Sequence, residues 1–289
     1  MSFAPSPFQE DERPVIVITG CSSGIGAALV KEFSSAETHR VVATARNLES
    51  LRFLPSNVWR VQLDVTSQSS VDRAIHDIIK ELGRIDMLVN NAGTNTAVGA
   101  SVEVSLERYR QTFDANYFGL IRVTQAVTPH MIKARSGTVV NVGSVAGLSP
   151  LPFAAAYASS KAAVHAFSDC LRSELAGFGI KVIVVAPGAI QSSIGDAGAK
   201  GISVADSSPY KNVEDMIQYR AMYSQIGRNT PAHVFAKNIR RAVTKKNPRA
   251  YILSGARTTV AFLLWLMPAR WRDFLLSFVF QTYRIGRTA

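Results

Sequence analysis

Six short apolar runs, each followed by a stretch of helical pattern, constrain this chain more than any other feature of it. They read VIVIT at 15–19, VVATA at 41–45, WRVQLDV at 59–65, MLVNNAG at 87–93, GTVVNVGS at 137–144 and IKVIVVAPG at 180–188. Runs that are apolar at successive positions have no face left for water, so they read as strands covered on both sides. Segments such as SQSSVDRAIHDIIKEL and SSKAAVHAFSDCLRSEL supply the cover. Right-handed crossovers place such helices over both faces of the sheet. The expected fold is therefore α/β, a doubly wound parallel sheet of the Rossmann type with helices on both faces. At 289 residues and 47% hydrophobic content the chain can bury one large core. We expect a disordered tail over residues 1–13, one domain over 14–257, and an apolar and basic extension over 258–289.

Charge and composition narrow the class. The formal charge is +11, and all of the excess lies in residues 228–289, which hold twelve Lys or Arg against Asp273 alone. A basic face of this kind attracts anionic partners such as membrane lipid. No nucleic-acid recognition motif accompanies it, so no nucleic-acid partner is expected. Cys21 and Cys170 form no CxxC pair, which argues against structural zinc and for a reducing compartment, with both read as ordinary buried thiols. No metal is expected. The first fourteen residues contain no apolar run of signal-peptide length, which points to a cytoplasmic protein. Residues 192–210, rich in Gly, Ser and Asp, read as a mobile loop over a site.

The joint between the first strand and the next helix carries Thr19, Gly20, Gly24 and Gly26. A backbone that must turn tightly and approach a pyrophosphate needs glycine there, and the following helix offers free N–H groups to the phosphates. The spacing, Gly-x-x-x-Gly-x-Gly, departs from the usual dinucleotide fingerprint, and a plain Gly-rich turn has the same look. About 20 residues after the glycines an NAD-binding fold places an acid on the ribose 2′-hydroxyl. Here the second strand ends in Ala45 and Arg46. An arginine in place of that acid can grip a 2′-phosphate, which favours NADPH over NADH.

Tyr157 and Lys161 are four apart in a helical segment and so share a face. A tyrosine titrates near ~10, and a cation one turn away brings it closer to use as a general acid. Ser144, at the end of a strand, could hold a carbonyl oxygen by its hydroxyl. A Tyr-x-x-x-Lys match alone is commonly a helix-surface coincidence; its meaning comes from its company.

TGCSSGIG at 19–26, LDV at 63–65, NNAG at 90–93, Asn116, Ser144, YASSK at 157–161 and PG at 187–188 together resemble the short-chain dehydrogenase/reductase family, in the family's order. The resemblance implies that Tyr157 protonates the substrate oxygen while a hydride arrives from the nicotinamide. Ser144 would polarise the carbonyl. Lys161 would lower the Tyr157 pKa and bind the nicotinamide ribose, and Asn116 would hold a water linking Lys161 to solvent. For the cofactor it implies the turn of Gly20, Ser22, Ser23, Gly24, Ile25 and Gly26, and Asp64 and Val65 at the adenine, beside the Arg46 already read as the 2′-phosphate grip. Asn90, near the adenosine ribose, would be followed by Ala92 and Gly93. Pro187, Gly188, Ile190 and Ser192 would attend the nicotinamide, Ser192 standing where many members carry Thr. Assembly into a homo-oligomer is also expected.

From Tyr251 the chain reads YILSGARTTVAFLLWLMPARWRDFLLSFVF, which resembles the tail of fungal acyl-dihydroxyacetone-phosphate reductases, lipid-associated members of that family. The expected activity is NADPH-dependent reduction of a ketone on a lipophilic substrate, acyl-dihydroxyacetone phosphate being the sharpest choice. A polyketide-type or steroid-type ketone reductase and a non-catalytic dinucleotide-binding scaffold are the alternatives. Two apolar pieces around Pro268, Arg270, Arg272 and Asp273 are too short to span a bilayer. They suit either an endoplasmic-reticulum or lipid-droplet surface, or packing on the core or in a dimer contact.

Overall fold

The computed structural model describes residues 12–192 and 202–286. Seven parallel strands form one sheet: β1 (Val15–Ile18), β2 (Arg40–Ala45), β3 (Trp59–Gln62), β4 (Met87–Asn90), β5 (Gly137–Val142), β6 (Ile180–Pro187) and β7 (Tyr251–Ser254). Their order is β3-β2-β1-β4-β5-β6-β7, so the winding reverses between β1 and β4. A reversal of this kind leaves a crevice at the strand C-termini, where ligands of open α/β sheets bind.

β1 and β4 are buried at every position, as their unbroken apolar sequences require. On one face α1 (Gly24–Ser35) packs with α7 (Ala232–Val243) around Phe33 and Phe235. On the other, α2 (Gln68–Leu82), α4 (Gly119–Ala134) and α5 (Ala155–Ala176) bury Ile75, Val123 and Leu171, with the short α3 (Leu106–Phe113) ahead of α4. The punctuation follows local chemistry. Ser67 caps α2 by accepting from the Ser70 N–H at 3.3 Å, and Gly83 ends it at φ +72°, a conformation glycine adopts without strain.

Three expected strands stop early. β3 ends at Gln62 rather than 65, because the Asp64 carboxylate accepts from both the N–H and the hydroxyl of Thr66 and turns the chain. β4 and β5 likewise end at Asn90 and Val142, and their remainders become loops over the crevice. β7 is absent from the sequence expectation; four half-buried residues at a sheet edge give too weak a pattern. Cys21 is buried, with its thiol pushed up to about 12 by desolvation, whereas Cys170 is exposed, against the expectation for it.

Beyond the sheet lies a smaller third cluster. Phe280 is fully buried there against Tyr219 and Tyr223 of the segment holding α6 (Glu214–Met222). The C-terminal helices α8 (Thr258–Leu266) and α9 (Ala269–Val279) are thereby held to the body, and α8 begins where the extension was expected. Residues 1–11 of the expected tail and 193–201 of the expected loop lie outside the described residues.

Candidate functional site

A cavity of about 850 Å³ opens along the C-terminal edge of the sheet. Its floor begins at the turn after β1. Gly20 sits at φ +70° and Gly24 at φ +55°, and a Cβ on Gly26 would meet the Gly20 carbonyl oxygen at 2.2 Å. No side chain fits at Gly26, so the turn presents bare backbone at the start of α1. The hydroxyl of Thr19 accepts from the N–H groups of Asn91 and Ala92, both at 3.0 Å, and ties the loop after β4 to the end of β1. This open backbone at a helix N-terminus fits a dinucleotide pyrophosphate. Ser22, Ser23, Ile25, Arg46, Asp64, Val65, Ala92, Gly93, Pro187, Gly188, Ile190 and Ser192 all line the same cavity.

Ser144, Tyr157 and Lys161 line it too. α5 carries Tyr157 and Lys161 one turn apart, with the ammonium 5.9 Å from the centre of the phenol ring. Burial raises the Tyr157 pKa, while the Ser144 hydroxyl and the charge of Arg220 pull it down. Lys161 is 5% exposed and burial lowers it to about 8. Its Nζ donates to the Val142 carbonyl at 2.8 Å. The charge of Arg220 thus acts on the phenol from the substrate side, beside the Lys161 ammonium one helical turn away. One of the three Lys161 N–H donors is anchored on the end of β5, and the other two are left for a ligand.

Two expected residues do not line the cavity. Asn90 is buried, its side-chain amide donating to the Thr124 hydroxyl at 3.0 Å and to the Asn141 side-chain oxygen Oδ1 at 2.9 Å. Its amide braces β4 against β5, and its neighbour Asn91 reaches the cavity instead. Asn116 sits in a widened π-helical turn, Asp114–Phe118, a geometry common at functional sites. Its side-chain amide donates to the Thr94 carbonyl at 2.9 Å and the Ser160 hydroxyl at 3.0 Å, so of the side chain Oδ1, which accepts from the Thr94 N–H, is what remains to meet a water.

The short chain dehydrogenase family matches this chain over residues 14–200. The protein belongs to that family. A relative from Xenopus tropicalis, dehydrogenase/reductase SDR family member 7B, is 32% identical over 91% of this chain and 84% of its own. The 3-ketodihydrosphingosine reductase of Bacteroides thetaiotaomicron is 36% identical over 63% of this chain and 66% of its own. Among solved structures, the closed form of serine dehydrogenase complexed with NADP+ superposes with a TM-score of 0.73 at 26% identity, covering 84% of this chain and 95% of that one.

This short-chain dehydrogenase also has site residues that its motifs did not indicate. His165, buried beneath Ser144, accepts from the Ser144 backbone N–H through Nε2 at 3.3 Å, and desolvation lowers its pKa to about 4. The imidazole is therefore neutral, with its proton on Nδ1, and steadies the loop that carries Ser144. At the other end of the cavity stand Arg220 and Tyr223 of the α6 segment, Arg257, and Val260, Ala261 and Leu264 of α8. Only the apolar character of the tail gave a signal for these; nothing in the local sequence marks Arg220.

Proposed function

We propose that the protein is an NADPH-dependent carbonyl reductase that turns a ketone on a lipophilic substrate into an alcohol, with acyl-dihydroxyacetone phosphate as the sharpest candidate. The reading is carried by one observation: Tyr157, Ser144 and Lys161 converge in a cavity that has Arg46 at one end and an apolar wall of Leu151, Val260 and Leu264 at the other. When bound, NADPH supplies the hydride. The turn at residues 20–26 holds its pyrophosphate and Arg46 its 2′-phosphate.

The chain's own residues do the rest. A phenol raised above its ordinary range is protonated at neutral pH, so Tyr157 has a proton to give to the carbonyl oxygen. Ser144 donates its hydroxyl hydrogen to the same oxygen and fixes the carbonyl against Tyr157. Lys161, held by Val142, binds the ribose hydroxyls. Asn116 keeps residue 94 against α5, which preserves the floor under Lys161. The NADP+ in the serine dehydrogenase structure and the ketone in the name of the sphingosine-type relative support this choice of chemistry.

The same reading seats the protein at a lipid surface, of endoplasmic reticulum or lipid droplet. α8 and α9 contain no buried residue, and Trp271, Phe274 and Phe278 are 66%, 67% and 73% exposed. The charge of residues 228–289 adds attraction to anionic headgroups. Among the described residues no helix is long and apolar enough to cross a membrane.

Absorbance at 340 nm with a panel of alkyl ketones, with NADPH or NADH, tests the chemistry. We expect NADPH to be oxidised fastest with long-chain ketones. Oxidation of neither cofactor by any ketone would leave a dinucleotide-binding scaffold as the better description.

A further inference from the structure

The cations around the cavity are not equivalent. Lys161 donates to the Val142 carbonyl, and Arg257 donates to the carbonyls of Tyr223 and Ile226 at 2.6 Å each while stacking 4.1 Å from the Tyr223 ring. Arg46 is exposed at the opposite end. Arg220 differs from all three. It is 6% exposed, lines the cavity, and its guanidinium makes no hydrogen bond or ion pair among the described residues; Nε is wholly buried with no partner.

That arrangement is unfavourable for the protein alone. A buried charge without a partner is among the costlier features a fold can carry. Burial lowers the Arg220 pKa to about 10, which leaves it charged at neutral pH. Among the described residues two carboxylates line the cavity and neither relieves it: Asp64 accepts from Thr66, and Asp114 pairs with Arg122 at 2.7 Å. The nearest consequences of its charge are on Tyr157 and Tyr223, so it stands toward the proton donor and away from the adenine end.

We infer that Arg220 binds an oxyanion headgroup of the substrate, a phosphate or a carboxylate, and so selects an anionic amphiphile whose ketone meets Tyr157 and whose apolar chain runs along α8. The inference rests on the carbonyl-reductase reading and adds the headgroup to it. A guanidinium with free N–H groups matches such a headgroup in shape and charge, and a dry site strengthens the match.

The test begins with binding, which needs no turnover. Calorimetry on the NADPH-saturated protein compares octyl phosphate, octanoate and 1-octanol; reduced cofactor is used because the cationic ring of NADP+ would itself attract an anion. We expect one of the two anions to bind at least tenfold tighter than octanol, its identity separating phosphate from carboxylate. Arg220→Met should weaken that anion roughly 10- to 100-fold, and Arg220→Lys should recover part of the loss. Equal binding of octanol and both anions by the native protein overturns the inference, and this comparison stands even if the Met variant does not fold. So does retention of the anion preference in an Arg220→Met protein that still binds NADPH.

Kinetics separate a second possibility, that Arg220 acts only by tuning the Tyr157 phenol. The ratio of kcat/KM for a medium-chain ketone bearing whichever anion binds more tightly, 3-oxodecanoate or a ketoalkyl phosphate, to that for its neutral methyl ester should fall at least tenfold in Arg220→Met. An unchanged ratio, with both substrates slowed alike, would assign Arg220 to Tyr157 and reject the headgroup. A native protein that binds the anion through Arg220 yet reduces no ketone would keep the anion site and reject the reductase reading. One that reduces charged and neutral ketones alike, without anion preference, would do the reverse.

Discussion

The two ends of the cavity are built by opposite means. At the cofactor end backbone does the work: fully buried strands, glycines at φ +70° and +55°, and a helix start at which any Cβ on Gly26 would collide with Gly20. At the substrate end side chains do it. α8 and α9 bury no residue of their own and are moored by Phe280 and by the Arg284 to Asp215 ion pair at 3.0 Å. Backbone geometry tolerates few changes of residue, whereas a wall of exposed apolar side chains can be altered one contact at a time. The cofactor end is therefore where chemistry is fixed, and the substrate end is where specificity can be adjusted.

The comparison breaks most visibly at Tyr157, which stands between the two ends. Tyr157→Phe removes the proposed proton donor but neither the turn nor the apolar wall. We expect carbonyl reduction to fall by about 10²- to 10⁴-fold, with NADPH affinity and unfolding temperature close to native. Near-native turnover would mean that another group donates the proton.

His165 tests whether the cofactor side is held by buried polar contacts as well as by glycine. Its folded pKa of about 4 lies below the ordinary 6.5, because burial, the charge of Lys161 and its packing keep it neutral. Between those values the unfolded chain takes up a proton that the native state refuses. Stability is thus present above pH 6.5 and is lost as pH falls toward 4. Protonation would also break the acceptor role of Nε2 toward Ser144. The loss amounts to about 3 kcal/mol. Urea unfolding at several pH values should show His165→Asn losing less stability than the native protein across that window. Parallel profiles would remove His165 from the account.

Arg46 sharpens the difference between the ends. Arg46→Asp should lower kcat/KM with NADPH by roughly 10- to 100-fold through loss of charged hydrogen bonds, and should bring NADH closer to parity. The order of preference among ketones should stay as it is. A native preference for NADH would reject the assignment of Arg46.

Legibility in the sequence follows the same division. Five of the six expected runs begin at the first residue of their observed strands and the sixth, at 41, begins one residue after its strand, since a buried parallel strand needs an unbroken apolar run. Gly20, Gly24, Gly26, Ser144, Tyr157 and Lys161 were legible because glycine conformation and helix spacing are local facts. Arg220 and His165 were not. Each matters through burial against residues far away in the chain, and no local pattern distinguishes a buried arginine from one in solvent. Asn90 shows the converse case: a residue inside a matching motif whose side-chain amide donates within the sheet and to Thr124. β7 escaped notice because four half-buried residues carry no periodicity worth reading.

The smallest expected effect lies in two adjacent leucines of α8. Leu264 lines the cavity and is partly buried, while Leu263 is 57% exposed and Trp265 beside it 47%. If one face of this helix guides an apolar chain and another rests on lipid, the two substitutions must part company. Leu264→Ala removes part of the substrate wall, and a partly buried leucine contributes a fraction of its ~1.5 to 3 kcal/mol burial value. We expect KM for a long-chain ketone to rise about two- to fivefold, with kcat and NADPH affinity little changed. Leu263→Ala should leave solution kinetics alone and instead weaken co-sedimentation with vesicles containing phosphatidylserine by about two- to fivefold, an effect that added salt makes larger by screening the basic segment. A Leu263→Ala protein that sediments like the native one, or a native protein that stays in solution with such vesicles at low salt, would show that the outer face of α8 meets something other than a lipid surface.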